Sequence, residues 1–262
     1  MLMRTSNPIL SGNNFNVATW DHLAEAERRD RTMTVQGTVN AAFILLGLTG
    51  ASALGTWMAL ERQVMAPALP MVGGGIAGLV IALVLAFSPR MAGFLAPLYA
   101  VLKGSCVAGL SFVVGAAMDA KLGTGAGASL IFQAILLTFG IFGGLLIAYT
   151  TGLIRLGSVA KRIIVAATLG VMIMYLATFV LSLMGVNIGF IHSSGPIGIG
   201  FSVVVVVLAS LNLVLDFQFI EESASAGAPK HMEWYGAFGL LVTLIWLYIE
   251  ILRLLMKLKD NR

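Results

Sequence analysis

The chain has 262 residues, 58% hydrophobic and only 11% charged, with a net charge of +4 and a mean hydropathy of +0.94. A soluble domain has to wet its surface and does not carry so few charges, whereas helices that face lipid can be apolar all round. Cys106 is the only cysteine, which excludes an internal disulfide and a cysteine-rich metal site, and the cations gather in loops beside apolar runs, which suits membrane topology better than nucleic acid.

Residues 1–37 are polar, and their AEAERRDR stretch at 24–31 mixes both charge signs, as expected of a solvated helix in a cytoplasmic tail. The opening MLMRTSNPIL lacks the long apolar core of a cleaved signal peptide, so insertion is expected to rest on internal helices. Seven apolar segments follow, at roughly 38–60, 68–87, 91–118, 126–153, 163–186, 195–219 and 235–256. At ~1.5 Å per residue each is long enough to cross the ~30 Å hydrocarbon layer. The expected architecture is all-α: a polytopic integral membrane protein in which residues 38–262 form a seven-helix transmembrane domain.

The basic residues predict an orientation. Arg4, Arg28, Arg29, Arg31, Arg90, Arg155, Lys161, Arg162 and Lys230 fall on the side of the N-terminus, and only Arg62 and Lys121 on the other, so the N-terminus is expected in the cytoplasm. Seven crossings then place Lys257, Lys259 and Arg262 outside, against the same rule. Either the earlier loops dominate or the last segment does not cross fully. Glycines four apart (Gly74 and Gly78, Gly123 and Gly127, Gly140 and Gly144) predict closely approaching helices. The run GGGIAG at 73–78 satisfies the dinucleotide fingerprint formally, but it lies inside an apolar helix with no strand before it, which sets that reading aside.

Few ionisable groups lie within the spans: Lys103, Asp216, Glu250 and Arg253, with Arg90 at the end of the second. A charge at a helix centre costs about 2.5–3.5 kcal/mol even on the lenient insertion scale, so each needs something to offset it. Asp216 in LNLVLDFQFIEE and Arg90 in LAFSPRMAG are expected near the same face, where Arg90 either pairs with Asp216 or snorkels to headgroups. Glu250 in LYIEILRLLMKL has two possible partners, Arg253 at i+3 and Lys103 near mid-membrane. His192 and His231 lack partners at metal-ligand spacing. No Ser/His/Asp order, H-E-x-x-H or Walker lysine is present, so neither an enzyme nor a bound cofactor is expected.

These residues resemble a family. LYIEILRLLMKL is similar to the L-Y-L-D-x-I-N-L-F-x-x-L-L signature in the last helix of the Bax inhibitor-1-like, or transmembrane Bax inhibitor motif, proteins, and LNLVLDFQFIE to their sixth helix with its Asp. LAFSPR, RTSNPIL and AGAPKHMEWYGAFGLLVTLIWLYIEILRLL resemble a bacterial branch. The resemblance implies a seven-helix fold with the last helix central, in a bacterial plasma membrane, and a pH-sensitive calcium leak controlled by two acids on the last two helices. Carried over, the pair is Asp216 and Glu250, with Glu where the signature has Asp. Arg90 becomes a switch partner, and Lys103, a fixed cation, would oppose calcium unless paired.

Two carboxyls held close in a low-dielectric site share a proton, which acts as a latch that opens when the proton leaves. They would offer calcium part of its six to eight oxygens, a site for passage rather than storage. A helix starting at Glu233 would carry Glu250 ~25 Å in while Asp216 lies ~9 Å from Glu222. The two meet only if HMEWYGAF lies along the interface and the crossing starts near Gly239. Competing expectations are a non-conducting regulatory protein that uses residues 1–37 to bind another membrane protein, such as a membrane protease, and a secondary transporter, for which no internal repeat is visible.

Overall fold

Backbone amides in lipid find no water, so a spanning segment must satisfy its own polar groups, and near-chargeless runs of about 20 residues do so as helices. The computed structural model describes residues 32–185 and 195–261. Seven helices long and apolar enough to span a membrane follow one another: α1 (Val35–Glu61), α2 (Gly74–Phe87, entered through a π-helical turn at Leu69–Gly73), α3 (Ala92–Leu122, after a 3₁₀ turn at Pro89–Met91), α4 (Ala126–Thr150), α5 (Ser158–Leu183), α6 (Pro196–Ser225) and α7 (Met232–Asp260). Among the described residues the only bridge of strand type is an isolated one between Thr32 and Pro229. The expected tail helix at 24–31 and His192 lie outside the described residues.

α7 is the axis of the bundle. Half of its most apolar stretch is buried, against 11% for α1 and for α5. It packs on α1, α3, α4 and α6, and both apolar cores run through it, one around Leu213, Leu244 and Leu247 and the other around Leu45, Leu85 and Leu241. α5 is peripheral: it packs chiefly on α6, and among its described side chains Ile164 and Thr178 are the buried ones.

Small residues set the close approaches. A Cβ on Gly104 of α3 would collide with the Thr49 carbonyl oxygen of α1, and one on Gly127 of α4 would collide with the Gly115 carbonyl oxygen of α3. Between α1 and α3 the gap is zipped by hydroxyls: Ser52 Oγ donates to the Val101 carbonyl at 2.6 Å, and Thr56 Oγ1 to Ser105 Oγ at 3.0 Å. Of the glycine pairs expected to pack, Gly74 and Gly78 do so, against the Leu102 carbonyl and the Lys103 side chain. Gly123 instead serves the α3–α4 turn with φ +97. A Cβ on Gly140 or Gly144 would meet nothing within 4 Å, so that pair is corrected to an open face.

The ends of the helices show where each one goes. Glu233 at the start of α7 accepts from Thr34 N at 2.9 Å and Thr34 Oγ1 at 2.8 Å, and pairs with Lys230 at 3.1 Å, which ties it to the start of α1. At the other end Lys121 reaches Asp260 at 2.8 Å, tying the end of α7 to the end of α3. α7 therefore runs the full depth of the bundle, from the face where α1 begins (the proximal face) to the opposite, distal face. This corrects the expectation that HMEWYGAF lies along the interface: Glu233, Gly236, Ala237 and Phe238 are buried in the first turns of a continuous helix. Two basic residues toward this end, Lys257 and Arg253, are taken up inside the protein. Lys257 is buried and donates to the Gly198 carbonyl and to Ser202 Oγ, both at 2.9 Å, and Arg253 pairs with Glu250.

Introducing Val at Gly104 or Gly127 is expected to push helices apart and destabilise the fold by about 1–3 kcal/mol, the usual cost of overpacking. Thermal unfolding in detergent checks it, with Gly140→Ala and Gly144→Ala expected to leave the melting temperature unchanged.

Candidate functional site

In a helix, residues seven apart return to nearly the same face after two turns. On α5 that step joins Lys161, Thr168 and Tyr175; on α7 it joins Thr243 and Glu250; on α6 Asn212 and Asp216 lie one turn apart. These side chains meet along the line where α5, α6 and α7 run together.

From the proximal face inward, Lys161 Nζ of α5 pairs with Glu222 Oε1 of α6 at 2.5 Å. Deeper, Asp216 has Thr243 of α7 as its hydrogen-bond neighbour, while its Oδ2 is buried with no hydrogen-bond partner among the described residues. Next, Asn212 Nδ2 donates to Thr168 Oγ1 of α5 at 2.8 Å. Then comes Glu250, 1% exposed. It accepts from Tyr175 Oη at 3.0 and 3.1 Å, from Arg253 Nη1 at 3.2 and 3.1 Å, and from Trp246 Nε1 at 3.3 Å. Arg253 Nη1 also donates to Tyr175 Oη at 2.6 Å and its guanidinium lies 5.0 Å from the centre of the Tyr175 ring. Lys257 with Ser202 and the Gly198 carbonyl ends the series on the distal side.

Glu222 and Gly198 are 24 positions apart on one helix, or ~36 Å, so the seam is as deep as the ~30 Å hydrocarbon layer. A bilayer-spanning line of polar groups is costly unless it is satisfied, and here nearly every member has a partner on another helix.

The predicted site residues are thereby sorted. Arg253, not Lys103, is the partner of Glu250. Lys103 sits elsewhere, on α3 against Gly78, 5.8 Å from the centre of the Tyr99 ring, and takes no part in the seam. Arg90 is exposed in the turn before α3 and forms no salt bridge among the described residues, so its expected pairing with Asp216 is not made. Asp216 and Glu250 are not joined either. Asp216 faces Thr243, seven residues or ~10 Å along α7 from Glu250, because α7 starts at Met232 and not near Gly239. The expected single proton shared directly by both acids gives way to two separate acidic stations. Among the described residues no three His, Cys, Asp or Glu side chains are grouped to hold a metal, and Asp216 and Glu250 do not form a calcium site together.

Tyr175, Thr168, Asn212 and Thr243 were not singled out from the sequence, because each is a common polar residue in a membrane helix. The signal that finds them is the seven-residue spacing of Lys161, Thr168 and Tyr175 in an otherwise apolar segment.

A family model described as Bax inhibitor 1 like matches residues 7–260. The chain belongs to the Bax inhibitor 1 like family. No curated protein and no solved structure matches it. The family match takes in all seven helices and every residue of the seam, so the line of polar groups between α5, α6 and α7 belongs to the family domain of this integral membrane protein.

Removing Arg253 would leave a buried carboxylate without its cation, an event that costs about 3–5 kcal/mol. Arg253→Ala is expected to lower thermal stability strongly and Glu250→Gln with Arg253→Met to recover much of the loss. Tyr175→Phe, which deletes one hydroxyl, is expected to cost about 1–3 kcal/mol. Unfolding of purified protein in detergent measures all three.

Proposed function

We propose that the protein is a pH-sensitive cation leak, with calcium among the ions it passes, and that the path is the seam between α5, α6 and α7. The observation that carries the reading is the series of carboxyls, Glu222, Asp216 and Glu250, at ~9–10 Å intervals of depth along α6 and α7. Spacings of this size suit an ion that keeps part of its water shell and borrows one carboxylate at a time, as calcium can with its six to eight ligands. The family's function, as implied by the resemblance of the last two helices, is of the same kind. In this reading the protein conducts and catalyses no covalent reaction, sits in a bacterial plasma membrane, and has its proximal face in the cytoplasm, where Arg155, Lys161, Arg162 and Lys230 gather.

α5 is the lid. Its polar attachments to the bundle are Lys161 to Glu222, Thr168 to Asn212, and Tyr175 to Glu250 and Arg253. The proton that closes the path sits on Asp216 Oδ2, the buried seam carboxyl oxygen with no donor among the described residues. When it leaves at higher pH, the bare charge is relieved by water and a cation entering the seam, and α5 separates to admit them. Arg253 then trades Glu250 for solvent, and Glu250 becomes a station for the passing ion.

A second reading is a non-conducting regulator that binds another membrane protein through its N-terminal tail. It is favoured by the pinning of that tail's exit to α7 and to the loop before it, through Glu233 to Thr34 and Met33 N to the Ala228 carbonyl at 2.7 Å.

Calcium uptake into liposomes separates the two. Flux is expected to rise from acidic to mildly alkaline pH and to lose that dependence in Asp216→Asn. In a Cys106→Ala background, a disulfide between Thr168→Cys and Asn212→Cys is expected to bring flux down to that of empty liposomes, and a reductant to restore it. Flux that ignores both pH and the cross-link sinks the leak.

A further inference from the structure

α1 and α4 pack on α3 and α7 rather than on each other, which leaves a groove between them, floored by α3 and α7 and, at its proximal end, by α6 and α7. Two cavities, of about 530 Å³ and 410 Å³, occupy it and share Leu46. The distal one is walled by residues 46–57 of α1 and 128–139 of α4, the proximal one by residues 35–46 and 142–150. Along α1 the groove therefore covers 22 positions or ~33 Å, and each cavity is about one leaflet deep.

The lining chooses the occupant, since both cavities present almost wholly apolar walls. Water is a poor tenant of so apolar a space. An acyl chain is thin enough, and it is the apolar molecule at hand in a bilayer.

The two ends of the groove differ in charge. Among the described residues no charged side chain lines the distal cavity. The proximal one ends at Arg155 and Glu221, 3.7 Å apart, with side chains 66% and 45% exposed; Tyr149 Oη donates to Glu221. A headgroup seated above a tail in this cavity meets a cation and an anion side by side. Phosphate matches the Arg155 guanidinium. A primary ammonium matches the Glu221 carboxylate, with N–H donors that a quaternary ammonium lacks, whereas a purely anionic headgroup is repelled by Glu221.

We propose that this groove binds a zwitterionic phospholipid with a primary amine from the proximal leaflet, its tail between α1 and α4 and its headgroup across Arg155 and Glu221. Native mass spectrometry of detergent-purified protein, given phosphatidylethanolamine, phosphatidylcholine and phosphatidylglycerol in equal amounts, tests it. The expected result is one retained lipid, with phosphatidylethanolamine favoured by roughly two- to fivefold, the scale of exposed charge contacts. Glu221→Gln is expected to abolish the preference over phosphatidylcholine, and Arg155→Gln to reduce retention of both zwitterionic lipids. Ala42→Phe, which intrudes on the proximal cavity, is expected to reduce retention of all three. Equal retention of the three lipids, a preference for phosphatidylglycerol, a profile unchanged by Arg155→Gln, or a second protein chain seated in place of lipid would each overturn the proposal.

Discussion

The Glu250 carboxylate, almost fully buried at the heart of the bundle, needs donors, and the way it finds them organises the helices around it. Arg253 one turn on supplies charge and Trp246 one turn back supplies an indole N–H, both from α7 itself. Tyr175 supplies a hydroxyl from α5, whose apolar stretch is only 11% buried. An uncompensated charge in this setting would cost several kcal/mol, so the acid recruits a neighbour that apolar packing alone holds weakly. Lipid tails are as apolar as leucine and give helices little reason to associate, which is why polar contacts can decide where α5 sits.

The remaining helices are held differently. α1, α3 and α4 approach through Gly104, Gly115 and Gly127, where backbone meets backbone and the serine and threonine hydroxyls of α1 and α3 close the gap. α7 threads through all of them and is fastened at both ends, by Glu233 to Thr34 and by Asp260 to Lys121. The bundle thus has a rigid half, built on small residues and a central helix, and a half hung on polar pins. The lipid groove between α1 and α4 belongs to the first half, the polar seam to the second.

Much of the fold was legible from composition, because length and hydropathy suffice to mark a spanning helix; the seven segments match the seven helices to within a few residues at most ends. The central place of α7 came through resemblance and is visible in its burial. Depth was harder to read. The alignment of Asp216 with Thr243 and not Glu250 depends on where α7 begins, and nothing in HMEWYGAF distinguishes a first helical turn from a stretch along the interface. Partners of the charges were half legible: Arg253 follows from i+3 spacing, whereas Tyr175 lies 75 residues away on another helix. The conflict at the basic C-terminal end is eased only in part: Lys257 spends its donors on α6, whereas Lys259 and Arg262 still count against the rule.

If the polar pins are what keep the seam shut, the separation of α5 from the rigid half must follow the protonation of the seam. The most direct measurement is the distance between spin labels at Ile173 of α5 and Val113 of α3, both exposed, in lipid at acidic and at mildly alkaline pH. The account predicts a single short distance at acidic pH and a longer population that grows on alkalinisation and is lost when Asp216 is replaced by Asn. One unchanging distance across that range, in protein that conducts, would contradict it.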